Sequence, residues 1–403
     1  MNVLFLTLED FNSVENTRSI NADLLREFLK NGNDVYVVSP IERRKGINTH
    51  IFSEGRVTFL KQRIGNIQKT NIIEKGLSTL TIEKKLINGI KKHFDDVSFD
   101  LILYCTPPIT FLGAVKYVKT RDRARTYLLL KDIFPQNAVD LGMLSTTGIK
   151  SILYKHFQKK EKQLYAISDR IGCMSEANVN YLITHNPEIN PSIVEVCPNS
   201  IEVINKSVDG EQCRAIREKY GIPLEKKVFV YGGNLGKPQG IPFVVDCLRV
   251  CKNITNAFFL IVGDGTDFNL LQEYNDAEKP ENFKLMKRLP KEDYDTLVGA
   301  CDVGLIFLDN RFTIPNFPSR LLSYMQAKIP VLAATDRNTD IGKTIVDGRF
   351  GWWCESTDAD GFKKTVEYIL LELGEGSWGE NAYNYLLNNY STTQSYKIIT
   401  DWI

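Results

Sequence analysis

The sequence predicts an α/β chain built from two doubly wound, Rossmann-like domains that face each other across a cleft. Three observations carry that expectation. At 403 residues the chain is longer than one core usually serves, since single cores stop growing at roughly 250–300 residues. Its apolar runs are continuous rather than alternating, as parallel strands covered on both faces require. The strand-and-helix alternation pauses near Pro198–Asn199 and restarts at Val228. Domains are therefore expected at residues 1–198 and 199–380, with 381–403 as a C-terminal helix able to cross back to the first domain.

In chain order, Val3–Leu8 is the first apolar run. Ile20, Leu24, Leu25, Phe28 and Leu29 then recur at helical spacing until Gly32, and Val35–Val38 completes a βαβ opening. Further strands are predicted at Leu101–Cys105, Thr126–Leu130, Ile171–Met174 and Val194–Val196. After the pause comes a polar helix containing Arg214–Lys219. The second half repeats the pattern with strands at Val228–Tyr231, Phe258–Val262, Val303–Phe307 and Val331–Ala334, each trailed by a helical stretch.

Composition excludes several classes. A chain that is 43% hydrophobic and 25% charged is not disordered. Fifty Lys plus Arg against 49 Asp plus Glu leave no basic excess for nucleic-acid binding. The opening run meets Glu9 and Asp10, too short and too soon acidic for a signal peptide. No run approaches the roughly 18–20 apolar residues of a spanning helix. A cytoplasmic protein is expected. The eight cysteines are scattered without a Cys-x-x-Cys pair and read as buried free thiols. His50, His93, His156 and His185 show no ligand spacing, and no metal or other cofactor is expected.

Ligands of parallel α/β sheets collect at the carboxyl ends of strands, so the turns after each strand hold the candidate chemistry. Tyr231-Gly-Gly-Asn-Leu-Gly-Lys-Pro-Gln-Gly240 could bring backbone amides and Lys237 to a phosphate, or could be a flexible turn with a solvated lysine. Val262-Gly-Asp-Gly-Thr266 could approach a ligand through Gly265 or be a plain tight turn. In the stretch from Thr313, Pro318 suits a first helical turn, where Ser319 and Arg320 would sit among amides able to grip a diphosphate. An arginine there opposes the helix dipole unless an anion neutralises it. In the first half, Thr106-Pro-Pro108 and Lys131-Asp-Ile-Phe-Pro-Gln-Asn137 follow strands; Asp132 could orient an acceptor hydroxyl or close a backbone turn.

Between Gly148 and Arg170, Ile149, Leu153, Phe157 and Leu164 would share one helical face. Lys155, Lys159 and Lys162 would share another, as in a helix at an anionic interface or one packed on its own domain.

Taken in order, these turns resemble the family 4 glycosyltransferases of the GT-B fold, and within them the bacterial branch that builds capsule and O-antigen repeat units. The motifs are Thr106-Pro-Pro, Asp132-Ile-Phe-Pro, Met174-Ser-Glu176, Cys197-Pro-Asn199, Gly233-Asn-Leu-Gly236, Gly263-Asp-Gly265 and Pro318-Ser-Arg320 with Ser323 to Val331, and they span nearly the whole chain. The resemblance implies an acceptor-binding first domain, a nucleotide-sugar-binding second domain, and metal-independent transfer with retention. It implies a nucleotide-diphosphate sugar donor and a saccharide or polyprenyl-diphosphate-linked saccharide acceptor at the inner face of the membrane. Carried over, Gly233, Asn234, Lys237 and Gln239 belong to the diphosphate site, Arg288 and Leu289 to the turn that meets the base, and Pro318, Ser319, Arg320 and Ser323 to the loop under the donor. Lys131, Asp132 and Arg320 are the catalytic candidates, with Arg18 and Thr106 on the acceptor side.

Two departures stand out. The family's pair of glutamates would fall on Pro315 and Ser323, and Glu15-Asn-Thr-Arg18 replaces the glycine pair usual after the first strand. Without a carboxylate nucleophile, a front-side route is expected, in which the departing diphosphate helps accept the acceptor proton. The competing expectations are a sugar-nucleotide epimerase on the same fold, a two-lobed sugar-binding protein, and a non-catalytic sugar-nucleotide-binding relative.

Overall fold

The structure, a computed structural model, describes residues 1–67, 72–148, 150–374 and 376–403. It divides into two compact units, residues 1–202 with 392–403 and residues 203–391.

The first unit runs β1 (Asn2–Leu6), α1 (Ile20–Lys30), β2 (Asp34–Glu42), β3 (His50–Glu54), β4 (Val57–Ile64), α2 (Ile72–His93), β5 (Leu101–Thr106), α3 (Leu112–Asp122), β6 (Arg125–Leu130), α4 (Gln136–Asp140), α5 (Lys150–Ile167), β7 (Arg170–Cys173), α6 (Glu176–His185) and β8 (Val194–Val196). The sheet order is β3-β4-β2-β1-β5-β6-β7-β8, parallel throughout except for the β3–β4 hairpin. The apolar runs are continuous because both faces are covered. Leu4 and Leu6 enter one core while Val3 and Phe5 enter the other. Helix α1 begins where Ser19 Oγ accepts the Ala22 amide at 3.2 Å.

The second unit runs α7 (Gly210–Lys219), β9 (Lys227–Asn234), α8 (Ile241–Val250), β10 (Ala257–Asp264), α9 (Phe268–Glu278), β11 (Phe283–Lys287), α10 (Lys291–Gly299), β12 (Val303–Phe307), α11 (Arg320–Gln326), β13 (Val331–Thr335), α12 (Ile341–Asp347), β14 (Gly351–Glu355), α13 (Ala359–Glu372) and α14 (Trp378–Asn389). Its all-parallel sheet is ordered β11-β10-β9-β12-β13-β14. Counted from β9, that is the doubly wound order, whose direction reverses between β9 and β12.

The sequence misses three features: the β3–β4 hairpin and the two edge strands of the second sheet, β11 and β14. Edge and hairpin strands face water on one side and mix polar with apolar residues, so they lack the continuous runs that mark central strands.

The unit boundary also falls later than Pro198–Asn199. The Glu202 carboxylate belongs to the first unit, meeting Lys30 Nζ at 2.7 Å, Arg18 Nη1 at 3.0 Å and Arg26 Nε at 3.3 Å. At the other end, residues 381–403 form not one helix but two, α14 and then α15 (Thr392–Thr400), broken at Tyr390–Ser391. Helix α14 lies in the second unit, whereas α15 packs on α1 of the first. Thr393 Oγ1 donates to Glu27 Oε1 at 3.0 Å, the Tyr396 and Phe28 rings sit 4.9 Å apart, and Ile399 is fully buried.

Candidate functional site

In the second unit the site forms where the strand order reverses. Strands β9 and β12 share only the register pairs Val303↔Phe229 and Gly304↔Val230 before diverging. The carbonyls beyond that point lose their ladder partners. The Tyr324 hydroxyl on α11 stands 3.2 Å from the Val230 carbonyl and 3.0 Å from that of Leu305, spanning the split. Into the same crevice α11 sends Arg320. Its guanidinium carbon lies 4.1 Å from the centroid of the Tyr231 ring, a cation–π arrangement. The side chain keeps an accessible edge, but Nη1 is sealed from solvent without a hydrogen-bond partner. Among the described residues no carboxylate pairs with it.

Arginine stays charged in proteins. The rings around it do not neutralise it, because burial pushes the phenols of Tyr231 and Tyr294 up and that of Tyr324 to about 12, leaving all three protonated at neutral pH. The site is a buried cation lacking an anion.

The glycine pair near the end of β9 has a packing cause. A Cβ on Gly232 would lie 1.9 Å from the Tyr294 hydroxyl, and one on Gly233, at φ +135°, would lie 3.2 Å from Arg320 Nη2. These glycines admit a phenol and a guanidinium to the strand end. Gly265 likewise has a packing cause, since a Cβ there would lie 2.2 Å from the Leu235 carbonyl oxygen. The β9 and β10 turns close on each other through Leu235 N to Asp264 O and Asp267 N to Leu235 O, both 2.9 Å.

Gln239 is buried and organises the turn, its Oε1 accepting from Asn234 Nδ2 at 2.8 Å. Lys237 is exposed, as is Arg288, and neither forms an ion pair among the described residues. Leu289 beside Arg288 is half-buried in the turn between β11 and α10. Pro318 does not open a helix: α11 starts at Arg320 with Ser319 as its flanking residue, so the proline precedes the first turn. Ser323 sits half-buried on α11, one turn after Arg320. The nearest strand-end carboxylate, Asp309 after β12, is held by Arg311 through two contacts of 2.8 Å. The Asp309 amide donates to the Pro238 carbonyl at 3.0 Å, which joins this turn to the β9 turn.

In the first unit, Thr106 ends β5 opposite Leu130 of β6, and Lys131 and Asp132 follow directly. Lys131 Nζ donates to Asn21 Oδ1 at 2.7 Å, and Asn21 in turn donates to Glu9 Oε2 at 2.7 Å. Asp132 Oδ2 accepts from Asn137 Nδ2 at 2.6 Å, while its Oδ1 is buried without a partner. Burial raises its carboxyl to about 6, against the lowering effect of Asn137. Thr106 Oγ1, Thr110 Oγ1 and Asn137 Oδ1 are also buried and unpartnered. Arg18 is half-exposed and tied to Glu202.

Helix α5 differs from its expected faces. Phe157 packs 5.2 Å from Phe134 and Leu164 is fully buried, so this stripe faces the first unit's own core. Ile149 lies outside the described residues. The exposed apolar residues are Ile152 at 71% and Leu153 at 47%. Lys155 and Lys159 are exposed, while Lys160 pairs with Glu83 and Lys162 with Glu188. Among the described residues no helix is long and apolar enough to cross a membrane.

Residues 213–385, nearly the whole second unit, match the family of glycosyl transferases group 1. That segment is similar to the group 1 glycosyltransferases. The chain is 26% identical over 325 residues to a probable glycosyltransferase, WbjE, of Pseudomonas aeruginosa, covering 80% of this chain and 78% of that protein. It is 21% identical over 245 residues to a putative colanic acid biosynthesis glycosyl transferase, WcaI, of Escherichia coli, covering 60% and 57%. The fold is that of Anabaena Alr3699/HepE, solved in complex with UDP-glucose, at a TM-score of 0.71 and 14% identity over 100% of this chain and 99% of that one. The matched segment thus contains the whole Tyr231–Tyr294–Arg320–Tyr324 crevice, and the chain has the two-domain GT-B fold.

Proposed function

We propose that this chain transfers a sugar from a nucleotide-diphosphate donor held by the group 1 domain, with Arg320 as the cation that meets the diphosphate. The observation that carries this reading is the buried, unpaired guanidinium at the strand-order reversal. An uncompensated buried charge is costly, and a diphosphate supplies the missing anion. Lys237 adds a second, exposed charge on the adjoining turn. Both stabilise the departing diphosphate, the largest electrostatic requirement of the reaction. Structural relatives that hold UDP and UDP-glucose support a nucleotide-sugar donor. With no glutamate at Pro315 or Ser323, the front-side route with retention is the chemistry these residues suit.

On the acceptor side, the unpartnered oxygens of Thr106, Thr110, Asp132 and Asn137 suit groups that donate hydrogen bonds, such as sugar hydroxyls. Lys131 lies at the same strand ends and Arg18 just before α1, each already paired. The similarity to WcaI, a colanic acid biosynthesis transferase, supports a surface-polysaccharide acceptor, in this reading a polyprenyl-diphosphate-linked saccharide. Ile152 and Leu153 with Lys155 and Lys159 offer a small amphipathic patch for the anionic membrane that carries such an acceptor.

The test is a thermal-shift panel of nucleotide sugars, since a specific donor stabilises the fold in proportion to its saturation. One or two nucleotide sugars are expected to raise Tm in wild type and not in Arg320→Ala. A flat panel, or an equal rise in the variant, would overturn the reading.

A further inference from the structure

Tyr294 lies on α10, outside every turn that the motifs single out. Its hydroxyl is buried and has no hydrogen-bond partner. The neighbouring Tyr324 hydroxyl turns its one proton to the Val230 and Leu305 carbonyls, 3.2 and 3.0 Å away. The hydroxyl presses on Gly232, and Arg320 presses on Gly233. Two groups that can donate hydrogen bonds, the Tyr294 O–H and the Arg320 Nη1 N–H, therefore flank one dipeptide, and neither has a partner within hydrogen-bond distance. A single orphan donor can be a local imperfection. Two in one crevice, one of them charged, define the chemistry of what is missing: an anion with several acceptor oxygens.

We infer that Tyr294 is a donor-binding residue whose hydroxyl shares the diphosphate with Arg320. This rests on the donor-site reading above and adds a ligand to it. Tyr294 follows the Arg288-Leu289-Pro290 turn by four residues on the same helix-bearing segment. The turn expected to meet the base and the phenol expected to meet the phosphate thus arrive together. The glycine at position 232 follows from the same arrangement, because any side chain there would expel the phenol.

The experiment is isothermal titration of UDP, GDP, ADP and dTDP into the full chain and into Tyr294→Phe, with a melting curve for each protein. Removing an unpartnered hydroxyl while keeping the ring leaves Tm equal or slightly higher. Affinity for the nucleoside diphosphate that binds wild type is expected to fall about tenfold, the scale of one hydrogen bond to a charged group. Tyr324→Phe is the contrast: it strips the two carbonyls of their partner and lowers Tm by a few degrees. Unchanged affinity in Tyr294→Phe overturns the inference and leaves the donor reading standing. Loss of affinity together with a Tm drop like that of Tyr324→Phe makes Tyr294 a packing residue and also overturns it. If none of the four diphosphates binds wild type, the donor reading itself fails and takes this inference with it.

Discussion

The guanidinium carbon of Arg320 lies over the Tyr231 ring, 4.1 Å from its centroid, with one nitrogen buried and unpaired. Tyr231 is in turn fixed, because its hydroxyl donates to the Asn234 carbonyl at 2.7 Å. The stacking face and the loop expected under the phosphates are therefore one rigid piece, and the charge is aimed before any ligand arrives. Such preorganisation avoids reorganisation during reaction.

Arg320→Ala is expected to lower transfer, read as nucleoside diphosphate release, on the order of 100-fold or more. Its Tm should hold or rise, because the charge removed has no partner in the free protein. Arg320→Lys should recover little, since an ammonium cannot stack as a plane on Tyr231. Normal kinetics in both Arg320→Ala and Lys237→Ala would dismiss the diphosphate assignment.

Gly265→Ala separates packing from ligand contact. Its methyl would collide with the Leu235 backbone, which cannot swing away as a side chain can. A loss of about 1–3 kcal/mol in urea unfolding is expected, independent of nucleotide. A variant as stable as wild type but unable to bind nucleotide would restore the ligand reading of this glycine.

Asp132 sets a pH dependence. Its carboxyl is raised to about 6, so the folded state holds the proton more tightly than the unfolded chain does. That contribution is fully present below about pH 4 and is lost as pH rises through about 6. Asp132→Asn should therefore match wild type near pH 4 and exceed it at pH 8 by up to about 3 kcal/mol, from a shift of roughly two units. Activity, if the carboxylate receives an acceptor hydroxyl, should rise with an apparent pKa near the same value and be lost in Asp132→Asn. Equal unfolding curves at both pH values would refute the buried carboxyl.

The proposed membrane contact rests on four residues of α5. Cosedimentation with anionic liposomes is expected to fall in Ile152→Glu with Leu153→Glu, and to weaken with salt and in Lys155→Glu with Lys159→Glu. Changes at Lys162 should matter less, because Glu188 already pairs with it at 2.8 Å. Binding indifferent to all of these would place any membrane surface elsewhere.

Transfer is expected to persist in EDTA, since the charge facing the donor is supplied by Arg320 and Lys237. Activity lost in the chelator and restored by magnesium or manganese would contradict that expectation.

The central strands were legible because burial on both faces writes itself as an unbroken apolar run, as at Val303–Phe307. The edge strands β11 and β14 were not, since Phe283–Lys287 is interrupted by Lys284 and Lys287 and Gly351–Glu355 begins on a glycine and ends on a glutamate. Helix α5 shows the limit of periodicity. Phe157 and Leu164 pack on the unit's own core while Leu153, expected on the same face, is exposed; periodicity says only that a face is apolar, not what it meets.

By itself the sequence determined two α/β domains, the order of their strands along the chain and the turns where ligands gather, because each follows from local pattern and chain order. Only the tertiary structure decided what those turns contain. Tyr294 stands 62 positions from Gly232 and 26 from Arg320 in the chain, and its hydroxyl carries no motif. Its place in the crevice comes from the divergence of β9 and β12, which opens room for three phenols and a guanidinium. The glycines look like phosphate-binding residues in the sequence, and in the fold neighbouring side chains lie where their Cβ atoms would stand. A missing Cβ looks the same in sequence whether a ligand or another side chain takes its place.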